Sequence, residues 1–572
     1  MRAPHTVQKR YVSGTRVPQW EQTICMTNGS FRQDIDRGAR PSSDQDSRAK
    51  RRLDTLRGMS DTTFYLTTPI YYANAVPSAG STYTTLIADV VTRYHRLFGQ
   101  QSRMLTGTDE HGDKVALAAA AAGVTPNEYA TRISNTFRDA WPQFGIEPSD
   151  FIRTTEPRHM KVVQRILQTV YDKGDIYFGE FGGLYCYGCE RFYTEKELVD
   201  GKCPQHLTVP TFISEKNYFF RMSAYQEWLI NLLETQPDTV RPDQYRREIL
   251  GFLREPLQDL CISRPTSRLT WGIPLPFDPN FVTYVWFDAL INYVSALNPP
   301  DGSLYQEYWP VAQHLIGKDI LTQHGVYWPC MLKAAGIPLF RHLNVHGYWT
   351  MGGQKGSKSV DAGEAMVETM ELFRKPLELT ERYGVDGARY LLAREMIFGQ
   401  DSEFSPLSLQ RRYNADLAND LGNLANRVVT MLNRYCGGII PDPAGETDTD
   451  RDLRDAAIAA PDAVRAAIEA MQPHQALAEG LSLIKRTNSY LEQKAPWSAA
   501  KAGDQAGLEV TLYYAGETLG IAAAVLSPVM PTKMAALRAA LGLPAAHSLG
   551  GWGHLEPGTM LGQLPILFPK IE

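Results

Sequence analysis

The chain has 572 residues and a mass of 64.1 kDa, so it is too long for one small domain and long enough for several packed cores. Hydrophobic residues make up 43% and charged residues 21%, which excludes a fibrous or wholly disordered protein. Because 58 basic residues are balanced by 63 acidic ones, any contact with nucleic acid must come from a local basic face.

Residues 1–60 carry scattered Arg, Ser, Asp and Gly with little apolar periodicity, so we predict a disordered extension there. A mitochondrial transit peptide and a start codon placed too far upstream are two alternative interpretations. No apolar run reaches the length of a membrane span, and the seven cysteines lack the pattern of a secreted disulfide scaffold. We therefore expect no membrane association and a reducing compartment, the cytoplasm rather than the mitochondrial matrix.

Residues 61–175 have the pattern of the first half of a parallel α/β unit. An apolar stretch at 64–70 predicts a strand, a helix follows up to Leu97, and a second strand is expected at 103–107. Apolar residues of the helix recur at three- and four-residue spacing, as packing on a sheet requires: Leu86, Val90, Tyr94 and Leu97.

The rest of the chain divides into an insertion, a second α/β segment and a helical region. We place the insertion at 176–282, the second half of the sheet at 283–350, a connecting segment at 351–410 and an α-helical domain at 411–572. Strands are predicted at 284–286, 314–317 and 342–345. The helices are predicted at 417–424, 456–471, 481–491 and 510–526.

A metal-binding pattern lies in the predicted insertion. Cys186 and Cys189 form one C-x2-C pair, and Cys203 and His206 form a C-x2-H pair. Such spacing lets both side chains of a pair bind one tetrahedral ion, and thiolates favour zinc. Because four protein ligands leave no open position, the predicted zinc site is structural and not catalytic.

Several phrases of the sequence resemble the class I aminoacyl-tRNA synthetases, and within them the methionyl-tRNA synthetase family, from about residue 61 to 572. The phrases are TTPIYY (67–72), GTDEHG (107–112), SRPTSR (263–268), YVWFDA (284–289), GKDI (317–320) and LFPKIE (567–572). The resemblance implies an α/β fold with a Rossmann-type parallel sheet, split by a zinc-bearing connective insertion. A stem-contact segment and an α-helical anticodon-binding domain would follow.

The resemblance also implies a pocket for methionine. Tyr72, Trp286, Tyr293 and His324 would surround the side chain, and Asp89 would take the ammonium group. This chemistry is sensible because a thioether is polarizable and apolar, which suits an aromatic box. For the anticodon of methionine tRNA, the family pattern implies Asn423 and Arg427 as hydrogen-bonding residues and Trp497 as a stacking surface.

For ATP, the resemblance implies contacts near the start of the first helix and at the end of a later strand. Ser78, Gly80 and Ser81 would face phosphate, Gly317 would allow a close approach and Asp319 would hold the ribose.

Two lysines, Lys355 and Lys358, are expected to pair with the triphosphate as the catalytic residues, and Mg²⁺ is expected to accompany the nucleotide.

The chain departs from the family in both phosphate-handling motifs. Where the family has P-H-I-G-H, residues 77–81 read PSAGS, so two imidazole donors are replaced by hydroxyl groups. Where the family has K-M-S-K-S, residues 355–359 read KGSKS, and glycine makes this loop more flexible. Losing one donor that stabilises transition-state charge costs roughly 100- to 1000-fold in rate.

The expected function is a methionine–tRNA ligase that forms methionyl-adenylate from methionine and ATP, with activity reduced by these departures. One alternative is a related protein that binds methionine or tRNA with little catalysis, in a regulatory role. Another is a specialised biosynthetic enzyme. Because the sequence lacks the appended dimerisation module that some family members carry, we expect a monomer.

Overall fold

The computed structural model describes residues 62–186, 191–193, 195, 198–204, 207–351, 354–355 and 364–572. The extension predicted over 1–60 lies outside the described residues, and so do Cys189, His206 and Lys358. None of the described helices combines the length and apolar character that a bilayer crossing needs.

The described residues form sixteen strands, which are numbered in chain order. They are β1 Thr63–Tyr72, β2 Gln101–Asp109, β3 Asp150–Arg153, β4 Ile176–Cys186, β5 Arg191–Tyr193, β6 Thr211–Phe220, β7 Val240–Arg241, β8 Leu260–Cys261, β9 Ser263–Pro265, β10 Pro274–Leu275, β11 Asp278–Thr283, β12 Ala312–Gly317, β13 His342–His346, β14 Trp349–Met351, β15 Gln354–Lys355 and β16 Ser402–Glu403.

The α-helices are numbered in the same way. They are α1 Ala79–Leu97, α2 Asp113–Ala121, α3 Pro126–Gln143, α4 Pro157–Asp172, α5 Gln226–Thr235, α6 Asp243–Phe252, α7 Trp286–Ala289, α8 Asn292–Ser295, α9 Ser303–Tyr308, α10 Trp328–Ala335, α11 Glu364–Arg374, α12 Leu377–Glu395, α13 Pro406–Arg412, α14 Asn423–Tyr435, α15 Asp448–Glu469, α16 Pro473–Lys494, α17 Pro496–Ala502, α18 Gln505–Leu526 and α19 Pro531–Ala540. Two π-helical segments, Gln323–Tyr327 and Tyr413–Gly422, precede α10 and α14.

The largest sheet has six strands in the order β3-β2-β1-β12-β13-β7, and all of its neighbours are parallel. The first seven residues of β1 are buried, as expected for a strand covered on both faces. The predicted helix is α1, and Leu86, Val90, Tyr94 and Leu97 are all buried. The parallel α/β architecture predicted from the sequence is therefore confirmed.

The strand order reverses between β1 and β12. The chain runs from β1 outward through β2 to β3, and only later fills the other side of β1 with β12 and β13. Loops that leave the carboxyl ends of β1 and β12 therefore go in opposite directions and open a crevice, which is where open α/β sheets bind ligands.

The insertion forms a four-stranded antiparallel sheet, in the order β5-β4-β6-β8. Its boundaries differ from the predicted organisation in one respect, because β7 lies within 176–282 yet pairs in parallel with β13 at the edge of the main sheet. The predicted strand at 284–286 is wrong. Strand β11 ends at Thr283, and Trp286 begins the short helix α7.

After β16 the chain is helical, as predicted. Helix α18 is buried along most of its length, and α14, α15 and α16 pack around it. The same apolar core continues through α12 to α1, so the helical region and the first half of the main sheet share one interior. The shared core holds α1 against the helical region, while the N-terminus of α1 faces the carboxyl edge of the sheet.

Candidate functional site

The carboxyl ends of four neighbouring strands bring chemically useful residues to one edge of the main sheet. Tyr72 ends β1 and is paired in register with Asp109, which ends β2. On the other side of the crevice, Gly317 ends β12 and is paired with His346, which ends β13. The crevice therefore has an aromatic and acidic side, and a side with glycine and imidazole.

Tyr293 and His324 meet in the interior next to this crevice. The tyrosine hydroxyl and Nε2 of His324 are 2.7 Å apart, and Nδ1 of His324 lies 2.8 Å from the carbonyl oxygen of Ile320. Because a carbonyl only accepts, Nδ1 carries the hydrogen and Nε2 accepts from the tyrosine. Burial lowers the pKa of His324 to about 4, so the ring is neutral at pH 7.

The two remaining aromatic residues predicted for this pocket, Trp286 and Tyr72, are half-buried against apolar clusters. Trp286 is half-buried against the same core as Tyr293, and its indole N–H has no hydrogen-bond partner among the described residues. Tyr72 is half-buried against a small cluster that includes Val285, and the Lys114 ammonium lies 4.5 Å from its ring centre. Trp286 therefore lies with Tyr293 and His324 in one core, and Tyr72 lies in a second cluster that includes Val285, the residue before Trp286.

A buried carboxylate connects helix α7 to the end of β2 and to helix α4. Asp288 accepts from Nδ1 of His111 and from Nε2 of His159, each at 2.7 Å, and is fully buried. Burial raises the pKa of Asp288, but the two imidazoles lower it more, to about 2. Because His111 follows β2 and Asp288 lies in α7, this pair fixes Trp286 relative to the end of β2.

Asp89, predicted to take the ammonium group, contacts two arginines and a backbone N–H in the structure. Its Oδ2 accepts from Nε of Arg93 at 2.8 Å and from Nη2 of Arg389 at 2.7 Å, and its Oδ1 accepts from the Glu147 N–H at 3.2 Å. Arg389 is fully buried and also donates to the carbonyls of Pro528 and Val529. The carboxylate therefore ties α1 to the helical region, and both of its oxygens are occupied there.

Asp109 is the carboxylate that the structure places beside the aromatic pocket. It is 3% exposed and lies next to Tyr72 across the sheet. Burial raises the pKa of Tyr293, and the negative charge of Asp109 raises it further. Sequence reasoning overlooked Asp109, although an acidic residue at the end of a buried strand is a recognisable signal at a crevice of this kind.

The serines that replace the family's histidines form the cap of α1. The hydroxyl oxygen of Ser81 accepts from the Ser78 N–H at 2.9 Å, and the Ser81 hydroxyl donates to the Ser78 carbonyl at 3.0 Å. A Cβ added to Gly80 would meet only the Ser78 hydroxyl, at 3.7 Å. The predicted phosphate contacts thus lie at an ordered helix N-terminus, where backbone N–H groups favour an anion.

Gly317 at the end of β12 leaves its backbone open to the Asp319 carboxylate. A Cβ on Gly317 would come within 2.7 Å of Oδ1 of Asp319, and Asp319 itself is exposed to solvent. Nearby, Lys318 pairs with Asp401 at 2.7 Å. An exposed carboxylate beside a bare backbone is suited to the hydroxyl groups of a ribose. The backbone of Lys355 lies in β15, paired with Thr350 of β14, and Lys358 lies outside the described residues.

The three predicted anticodon residues meet on the helical region. Asn423 and Arg427 line a groove of about 640 Å³ between α14 and α16. The Arg427 guanidinium lies 5.7 Å from the ring centre of Trp497, and its Nη2 is 2.7 Å from Glu492. Because an exposed ion pair contributes little, a base can compete for this arginine. The groove offers an amide and a cation, and the indole ring of Trp497 lies beside the cation.

Two of the four predicted zinc ligands are described. Cys186 and Cys203 are buried together with Tyr193 in a small cluster of the insertion, and neither is in a disulfide. Thiols buried in one cluster suit a soft metal ion. Cys189 and His206 lie outside the described residues, and the described part of the chain contains no group of three metal-binding side chains.

Comparison with known proteins gives a consistent result. The family described as tRNA synthetases class I (M) matches residues 64–209 and 205–429. Curated relatives include the methionine–tRNA ligase of Deinococcus radiodurans, 43% identical over 90% of this chain and 75% of the relative. That of Streptomyces coelicolor is 39% identical over 89% of this chain and 97% of the relative.

Solved structures agree with the sequence relatives. Mycobacterium tuberculosis methionyl-tRNA synthetase bound by methionyl-adenylate has a TM-score of 0.83 and 38% sequence identity, and covers 89% of this chain and 100% of its own. Its free form has a TM-score of 0.78 and 35% identity. The described fold is therefore similar to that of a synthetase holding an aminoacyl-adenylate.

Proposed function

Because the chain belongs to the methionine–tRNA ligase family of class I synthetases, we propose that it activates methionine with ATP and transfers the methionyl group to methionine tRNA. The observation that carries this proposal is the hydrogen-bonded pair of Tyr293 and His324, with Trp286 packed against the same core and Tyr72 at the end of β1. The relatives reported above are named as ligases, and they give no support to a protein that only binds methionine or tRNA.

In this proposal, the pocket selects methionine by its apolar character. A thioether gains dispersion contacts from aromatic rings, and a neutral imidazole avoids the cost of a buried charge beside it. The hydrogen bond between Tyr293 and His324 orients both rings, so that no polar atom of the pair is left unsatisfied. We assign the ammonium group to Asp109 in place of Asp89, because Asp109 lies next to Tyr72.

The first chemical step needs positioning and charge stabilisation more than acid–base catalysis. A carboxylate oxygen of methionine attacks the α-phosphorus of ATP, and the bond to pyrophosphate breaks. The N–H groups at the start of α1 and the lysines Lys355 and Lys358 would stabilise the phosphates, with Asp319 on the ribose. Mg²⁺ is assigned to the phosphates of ATP, because this ion keeps several waters and is usually bound through substrate phosphates.

In the second step, a hydroxyl at the 3′ end of the tRNA attacks the methionyl carbonyl and AMP leaves. We assign anticodon recognition to the groove of Asn423, Arg427 and Trp497. Single-stranded bases are typically bound by stacking on aromatic rings and by hydrogen bonds to their exposed edges, and this groove provides both. Its location on the helical region keeps it apart from the crevice.

We also assign a structural Zn²⁺ to Cys186, Cys189, Cys203 and His206. The two described ligands are buried in one cluster, which supports the assignment. When bound, the ion would hold the two ligand pairs of the insertion together and would take no part in the reaction.

The proposal is tested by ATP–pyrophosphate exchange that depends on methionine, followed by aminoacylation of methionine tRNA. We expect exchange well above that of the Lys358→Ala variant, since this lysine is assigned to the triphosphate. Exchange no faster than in that variant would contradict the ligase assignment. Methionine binding without exchange would support a binding protein instead.

A further inference from the structure

His346 occupies a position between the two groups of residues assigned to ATP. It ends β13 and is 6% exposed. Its Cε1 and Nε2 lie 3.5 and 3.8 Å from the position that a Cβ on Gly317 would take. On its other side it contacts Thr84, which lies in the second turn of α1. The imidazole therefore bridges the end of β12 and the helix whose N-terminus faces the crevice.

Three hydrogen bonds involve His346 and Thr84, and two of them connect the imidazole to the first turn of α1. Nδ1 of His346 lies 2.7 Å from the Gly347 carbonyl, Nε2 lies 2.8 Å from Oγ1 of Thr84, and this hydroxyl lies 3.1 Å from the Gly80 carbonyl. The Gly347 carbonyl only accepts, so Nδ1 carries a hydrogen. The chain of contacts thus ends at Gly80, the residue assigned to phosphate.

The number of hydrogens decides which form of the ring satisfies all three contacts. With a neutral ring, Nε2 must accept the single hydrogen of the Thr84 hydroxyl, and the bond to the Gly80 carbonyl is lost. With a charged ring, Nε2 donates to Thr84, whose hydroxyl then donates to Gly80. Only the imidazolium makes all three hydrogen bonds at once.

The groups that face His346 act in both directions. Burial lowers the pKa of the ring, whereas its bond to the Gly347 carbonyl and the carboxylate of Asp319 raise it. Tyr83 lies edge-on at 5.1 Å, and because burial raises the pKa of Tyr83 this neighbour is uncharged. Lys318 is held by Asp401. In the free protein the net effect lowers the pKa of His346, which favours the neutral ring. A polyanion bound nearby would raise this pKa and favour the charged ring.

We propose that His346 takes up a proton when the triphosphate of ATP binds at the N-terminus of α1. The imidazolium then supplies a positive charge behind the phosphate site and orders the first turn through Thr84 and Gly80. His346 is thus a positioning residue in a chain whose motif histidines are serines. This inference rests on the proposed function, because it takes ATP as the ligand of the crevice.

The test measures ATP binding by calorimetry without methionine, at several pH values and in buffers of different ionisation enthalpy. Proton uptake by ATP itself is common to all variants, so the difference between the parent protein and His346→Gln isolates this residue. For the parent we expect greater proton uptake, and an ATP affinity that falls more steeply with rising pH, by up to about tenfold per pH unit for one coupled proton. His346→Gln should lose this excess.

Two further variants distinguish the hydrogen-bond chain through His346, Thr84 and Gly80 from an effect on folding. Thr84→Val keeps the shape of the side chain and leaves His346 in place, and should lose the same pH dependence. His95→Gln removes another buried histidine, at the far end of α1, and should keep the parent's pH dependence. Equal proton uptake by the parent and His346→Gln would overturn the inference. Absence of pyrophosphate exchange in the parent would instead overturn the proposed function.

Discussion

The two buried aspartates assigned to opposite roles can be distinguished by matched substitutions, Asp89→Asn and Asp109→Asn. Each keeps the shape of the side chain and removes its charge. In the structure, Asp89 binds two guanidinium groups behind α1, whereas Asp109 lies beside Tyr72 at the crevice. We expect a defect in stability from the first substitution and a defect in methionine binding from the second.

The expected magnitudes follow from burial. Removing one partner of a buried ion pair costs about 3–5 kcal/mol, and Asp89→Asn should lie near the lower bound because Arg389 keeps four carbonyl contacts. The midpoint of thermal unfolding should fall by a few degrees, on the order expected for a large chain. Losing the partner of the methionine ammonium costs about 2–5 kcal/mol, so Asp109→Asn should raise KM for methionine roughly 30-fold or more.

The assay is methionine-dependent pyrophosphate exchange over a range of methionine concentrations, with thermal unfolding followed by circular dichroism on the same samples. The two variants control for each other, since both neutralise a carboxylate that is almost fully buried. A KM for methionine that rises more than tenfold in a folded Asp89→Asn protein, with no change in Asp109→Asn, would refute our assignment.

Four further results are expected. Trp497→Ala should lower kcat/KM for tRNA about 10- to 100-fold, the loss of one stacked base, while pyrophosphate exchange stays unchanged; a parallel loss of exchange would contradict a role confined to the anticodon. Cys203→Ser should abolish stoichiometric zinc measured by atomic absorption, and zinc retained at one ion per chain would exclude this cysteine as a ligand. Ser81→His should raise the exchange rate at least tenfold, although it removes a helix cap worth about 1 kcal/mol; an unchanged rate would show that the KGSKS loop also limits activation. Burial lowers the pKa of His324 from its ordinary 6.5 to about 4, so its contribution to stability is present above pH 6.5 and is lost as the pH falls toward 4; His324→Gln should therefore show a shallower acid dependence of the unfolding midpoint, and an identical slope would contradict this account.

The elements that the sequence predicted correctly are those with strong local signals. Strand β1 is a continuous apolar run, and α1 has an apolar face at helical spacing, so each could be predicted within a few residues. The segment at 284–286 is as apolar as a strand but begins a helix in the structure. There, Asp288 reaches two histidines that are more than a hundred residues away in sequence, and no local pattern reveals that contact.

The same reasoning explains which site residues could be predicted. Asn423, Arg427 and Trp497 came from family resemblance, and the structure brings them together in one region. Asp89 was assigned to the ammonium group by family resemblance, and its buried partner Arg389 lies 300 residues later in the chain, where no local pattern reveals the contact. Without that contact, a carboxylate on α1 looks available. His346 was also overlooked, since its importance depends on a hydrogen bond to Thr84 that only the fold creates.

The edge strand β7 limits how this chain can be shortened. Because Val240 and Arg241 hydrogen-bond with β13, a deletion of the whole insertion would expose the backbone of β13 to solvent and to other chains. An engineered minimal enzyme should therefore be cut within the antiparallel sheet and retain the chain from α5 onward. Trimming designed in this way preserves the strand that carries His346.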